Sequence, residues 1–113
     1  MSKQGKIEEA LEYYKSAWRI FREIGDRLSE SITLRNLCHL YLVQGRYRAV
    51  LACIFLAKKI LREMQSPQEN VVQGTITLLS YQLGQEQFGE MWKQFEKNDS
   101  AVVDSILSDA EMN

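Results

Sequence analysis

The chain has little of what breaks, staples or charges a protein. Proline occurs once, at Pro67, and glycine six times in 113 residues. That excludes collagen-like and Pro/Gly-rich disordered classes. The two cysteines, Cys38 and Cys53, lie 15 apart with no partner Cys or His at metal-ligand spacing. They read as small buried hydrophobes, which suits a reducing, cytoplasmic compartment. Net charge is nearly absent as well: 14 basic residues face 15 acidic ones. Such a balance speaks against a general nucleic-acid binder. No apolar run reaches the length of a membrane span, so no membrane association is expected. The N-terminus leads into a charged amphipathic stretch rather than an apolar one, and no signal peptide is expected. Also missing are a Gly-rich phosphate loop, a zinc spacing and a serine elbow. The sole histidine, His39, has no nucleophile or acid at a catalytic spacing. The expectation is a protein without catalysis, cofactor or metal.

What is present is ordinary for a globular domain: 45% hydrophobic and 26% charged residues in one chain of about this size. The apolar positions recur in steps of three and four almost throughout. Ile7, Ala10, Leu11, Tyr14, Ala17, Trp18, Phe21 and Ile24 form one such series, the mark of a helix with a buried face. Gly25 should stop this helix and Asp26 cap the next, from about Leu28 to Val43. Gly45 breaks the second. A third helix, from about Tyr47 to Met64, is apolar on more than one side and should be central, with Tyr47, Ile54 and Ala57 in the core. Ser66-Pro67-Gln68-Glu69 has the form of a cap, a proline at the first helical position and a glutamate three residues after the cap. It should start a fourth helix ending at Gly84. A fifth, from about Glu86 to Lys97, carries Phe88, Trp92 and Phe95 on one face.

The chain also resembles itself at a shift of 40 residues. Gly5 falls on Gly45, Leu11 on Leu51, Ala17 on Ala57, Ile20 on Ile60, Arg22 on Arg62 and Glu23 on Glu63. A fixed period of this kind implies stacked helical hairpins. The series Leu34, Leu37, Cys38, Tyr41, Gly45, Tyr47, Val50, Ile54, Ala57 resembles a tetratricopeptide repeat, with Val50 bulkier than the alanine usual there. The phrase from Gly5 to Tyr14, with Ile20 to Arg27, resembles the second helix of the long variety, common in bacterial regulatory proteins and similar to kinesin light chain repeats. This resemblance implies an all-α fold: antiparallel hairpins in a short right-handed solenoid over residues 1–108. Its divisions would be a half repeat at 5–27, a repeat at 28–65, a degenerate repeat at 66–97, a capping helix at 99–108 and a frayed tail at 109–113.

The resemblance further implies protein–protein interaction, a scaffold or adaptor role. Two alternatives are a peptide-sensing regulatory module and a piece of a multidomain signalling protein. In such arrays the first helix of each hairpin lines a concave groove for a partner peptide. The matching positions here are Arg35, Asn36, His39 and Val43. An amide such as that of Asn36 can both donate and accept along an extended peptide, and Arg35 can pair with a carboxylate. Asn36 corresponds to Ile76 in the next unit, a departure from the family pattern. A solvated polar helix face explains the same residues.

Two further patterns bear on partners. Residues 1–66 hold 12 basic and 7 acidic residues, and residues 67–113 hold 2 basic and 8 acidic ones. Between Ser31 and Arg62 six basic residues stand with no acidic one. An acidic partner or head-to-tail self-association could use this asymmetry. In the family's phase the first helix lacks its hairpin partner, which would leave Tyr14, Trp18 and Phe21 uncovered and suggests a homodimer through them.

Overall fold

Why the chain turns where it does is a matter of three like helix ends. In the computed structural model, which describes residues 3–98 together with Ser105 and Leu107, five α-helices follow one another. They are α1 (Lys3–Ile24), α2 (Arg27–Val43), α3 (Tyr47–Glu63), α4 (Gln68–Leu83) and α5 (Gln85–Asn98). At the end of α1 the Gly25 N–H donates to the Arg22 carbonyl and the Asp26 N–H to the Phe21 carbonyl. Gly45 and Arg46 repeat this pair of bonds after α2, and Gln65 and Ser66 repeat it after α3. Each closes a left-handed cap that satisfies carbonyls orphaned by the helix end. The cap residues have φ of 78°, 71° and 54°, and the last is a glutamine where the first two are glycines. The helical unit is therefore 20 residues, half the period read from the sequence.

Helix starts are set by equally local chemistry. Asp26 caps α2: its Oδ1 accepts the Ser29 N–H at 3.1 Å and its Oδ2 the Ser29 hydroxyl at 2.8 Å. At α4 the Ser66 hydroxyl accepts the Gln68 N–H at 3.2 Å, but the reciprocal bond expected from Glu69 is not made. The Ser66 N–H is already engaged with the Leu61 carbonyl, and Glu69 turns to Arg62 instead, 2.9 Å away.

Each helix packs on its neighbour in sequence, and α3 also meets α5. Accordingly α3 is buried on nearly every side, through Ala49, Val50, Leu51, Ala52, Cys53, Ile54, Leu56, Ala57, Ile60 and Leu61. Ala52 and Ala57 are fully buried, and small side chains let neighbouring helices come close. Leu34, Leu37 and Tyr41 of α2, Leu11 and Trp18 of α1, Val72, Ile76 and Leu79 of α4, and Phe95 of α5 complete the core. The result is an all-helical body of 37 × 33 × 24 Å. No helix among the described residues is long and apolar enough to cross a membrane.

Several residues differ from the sequence reading. Ile24 is exposed, although it continues the apolar series expected inside; Ile20, which lies outside that series, is exposed too. With α2 as its main neighbour, α1 buries only a narrow stripe, and Ile24 lies in the last turn, beyond it. Tyr47 is exposed at the first position of α3, where the core has not yet closed around the helix. Lys15 is buried in that α1 stripe with its Nζ 3.5 Å from Glu12, so its aliphatic stem supplies packing surface. Of the expected capping helix and tail, only Ser105 and Leu107 are described; both are helical, and Leu107 belongs to the core.

Candidate functional site

On α3 the residues Phe55, Lys58, Lys59 and Arg62 recur at helical spacing and so share one face. That face meets α5 across a cleft of about 390 Å³, closed on the far side by Trp92 and Glu96. Its floor is aromatic. Phe55 and Trp92 meet edge to face with ring centroids 5.1 Å apart, Phe95 lies behind Phe55 at 5.6 Å, and Phe88 stacks on Trp92 at 5.4 Å. Phe95 is fully buried, whereas Phe88 and Trp92 are half-buried. The aromatic series on α5 is thus partly core and partly cleft wall.

The rim is cationic and held from α4. Lys58 Nζ donates to Gln73 Oε1 at 2.6 Å and Arg62 Nε to Glu69 Oε2 at 2.9 Å. A lysine has three donors and an arginine five, so each keeps bonding capacity beyond its α4 partner. Lys59 is shared with a second, smaller cleft of about 200 Å³ lined by Arg22, Arg27, Glu30, Leu56 and Glu63. There the charges are largely matched. Arg27 donates from Nη2 to Glu63 Oε1 at 2.9 Å, and its Nη1 lies 3.5 Å from Glu30 Oε1. The larger cleft is lined by Lys58, Lys59 and Arg62 against Glu96, and unlike the smaller one it has an aromatic base that could seat a side chain.

Glu30 itself is 2% exposed, rare for a carboxylate. It accepts the Trp18 Nε1 hydrogen at 3.2 Å, and the Arg22 guanidinium lies 5.3 Å from the Trp18 ring centroid. This arrangement corrects the reading of Trp18 as an uncovered self-association residue. Trp18 is 5% exposed, because α2 covers it and Glu30 satisfies its indole. Tyr14 and Phe21 are half-buried. A buried glutamate on α2 has no periodic signature, so nothing in the sequence marked it.

The four residues assigned to an α2 groove are Arg35 and Asn36, both half-buried, and His39 and Val43, both exposed. None lines the α3–α5 cleft. Ile76, matched to Asn36 in the next unit, faces the core. The cleft residues were missed individually, although Lys58, Lys59 and Arg62 are three of the six cations in the acid-free stretch.

Cys38 and Cys53 are both buried and free. Burial pushes the Cys38 thiol up to about 11, with Arg35 offsetting part of the rise. Cys53 is pushed well up by complete burial and, secondarily, by Cys38 across the α2–α3 contact. Thiols held protonated in this way are poor nucleophiles and poor metal ligands. Among the described residues no group of three or more His, Cys, Asp or Glu could hold a metal ion. No family model matches the chain, and no curated protein or solved structure does either.

Proposed function

We propose that the chain is a non-catalytic, tetratricopeptide-like binding module that takes an acidic segment of a partner protein into the α3–α5 cleft. The observation that carries this reading is the cleft of about 390 Å³ lined by three cations, Lys58, Lys59 and Arg62, and one acid, Glu96, together with Phe55 and Trp92. Cations at the rim attract carboxylates and speed encounter, while the aromatic floor accepts an apolar anchor residue. The 40-residue self-similarity and the three like helix caps support the repeat kinship.

The test is a titration of the full chain with labelled peptides in which Asp and Glu flank one Leu or Phe, read by fluorescence anisotropy. The double reversal Lys58→Glu with Lys59→Glu should weaken binding by about tenfold or more, and added salt should weaken it too. The α2 face offers a second reading, because exposed Ile32 and Val43 flank Arg35, Asn36 and His39 there. Binding that is lost in Asn36→Ala but survives the lysine reversal would move the site to α2. Failure to bind any acidic peptide would refute the cleft reading.

A further inference from the structure

Helix α4 is apolar on two opposite sides, and only one of them is used. Val72, Ile76 and Leu79 face the core. On the other side, Val71, Leu78 and Tyr81 are 51%, 58% and 72% exposed. With Gly74 they form a stripe at spacings of three and four, a single helix face. The helix carries one charge in its 16 residues, Glu69, and that charge is paired with Arg62. Each of the other four helices carries at least three charged residues. Solvated helix faces are normally charged, so an outward apolar face without charge is unusual for a surface left to water.

Gly74 adds a separate argument. A glycine inside a helix is less favourable than alanine, and among the described residues nothing needs it: a Cβ at this position would meet none of their atoms within 4 Å. A mid-helix glycine on an open face leaves a recess that a large side chain of a neighbouring helix can fill.

We propose that this face pairs with α4 of a second copy of the chain, antiparallel about a twofold axis. In such an isologous contact each pair of positions occurs twice. With the axis passing beside Ile76, Gly74 faces Leu78 of the second copy and Val71 faces its Tyr81. The smallest residue of the stripe then receives a large one, and the pattern is self-complementary. Charge argues for the same occupant. A charge-free surface is best matched by another, and among the described helices α4 is the one this chain offers. A 16-residue helix is about 24 Å long, so this face alone covers less than the roughly 800 Å² per partner of a standard interface. The expected dimer is weak, in the micromolar range. The inference is independent of the α3–α5 cleft, because Glu69 and Gln73 point to α3 from a different side of α4.

Sedimentation equilibrium of the full chain across roughly 1 to 300 µM tests it. A monomer–dimer equilibrium is expected, weakened about tenfold or more by Leu78→Glu with unchanged helical circular dichroism. Gly74→Leu should also weaken it, and the swap Gly74→Leu with Leu78→Ala should recover dimer, because a small residue again faces a large one. A chain that remains monomeric overturns the proposal. So does a dimer indifferent to Leu78→Glu, or a swap that recovers nothing. A monomer that co-sediments with phosphatidylcholine vesicles would assign the face to a lipid surface and equally overturn the dimer.

Discussion

Replacing Gln65 by glycine should stabilise the fold, and the structure sets the size of the gain. Gln65 ends α3 in the left-handed conformation, with φ of 54°, at the position where Gly25 and Gly45 end α1 and α2. An L-residue there costs about 1–2 kcal/mol, because its Cβ crowds the backbone carbonyl. Glycine removes that cost but adds about 0.5–1 kcal/mol of unfolded-state entropy. The net expectation is a gain of about 0.5–1 kcal/mol, a rise in Tm of about 2–5 °C for a chain of this size. The converse change, Gly45→Ala, should cost about 1 kcal/mol. A Cβ at Gly45 meets no atom within 4 Å, so only the backbone conformation is penalised. Urea unfolding followed by circular dichroism measures both variants. The reasoning is refuted if Gln65→Gly destabilises the chain or if Gly45→Ala leaves it unchanged. The two variants act on one term in opposite directions, so an unrelated packing effect at either site would show as a broken symmetry.

Removing the Glu30 carboxylate by Glu30→Ala strands the buried Trp18 indole hydrogen and should cost about 2 kcal/mol in urea unfolding read by tryptophan fluorescence. Glu30→Gln keeps an acceptor for Trp18 and should cost less than about 1 kcal/mol. Ala57→Trp places a large ring at a fully buried α3 position and should lose at least the roughly 1–3 kcal/mol of overpacking; an unchanged melting curve would show that this packing is misassigned. The Cys38 thiol is raised from 9.0 to about 11 in the folded chain, so the fold holds its proton more tightly than the unfolded chain does. That contribution is complete below pH 9 and is lost as pH rises from about 9 to 11, up to roughly 2–3 kcal/mol. Stability measured against pH, with Cys38→Ala as control, checks the slope. Both thiols should also resist a thiol reagent at pH 8 until the chain is unfolded.

Local chemistry alone determined most helix boundaries. Gly25, Gly45 and Gly84 are where helices end, Asp26 caps α2 through its own side chain, and Pro67 precedes α4 by one residue. Such signals act within a turn of chain and do not depend on what packs against it. The apolar density of α3 likewise announced a helix enclosed on several sides, and that is how it lies. Which face of an amphipathic helix is covered, and how far along, is another matter. Ile24 continues the apolar series of α1 yet is exposed, while Lys15 and Glu30 interrupt apolar faces and are buried. Periodicity records that a helix has an apolar side; the position and extent of its neighbour decide which residues of that side lose water. Glu69 stands at the position of a reciprocal cap but pairs with Arg62, because α3 brings a guanidinium within reach and the Ser66 N–H is already taken. The cleft could not be seen in advance for the same reason. Lys58, Lys59 and Arg62 were visible as unopposed charge, but Phe55 and Trp92 stand far apart in the chain and become one aromatic floor only when α5 folds back on α3.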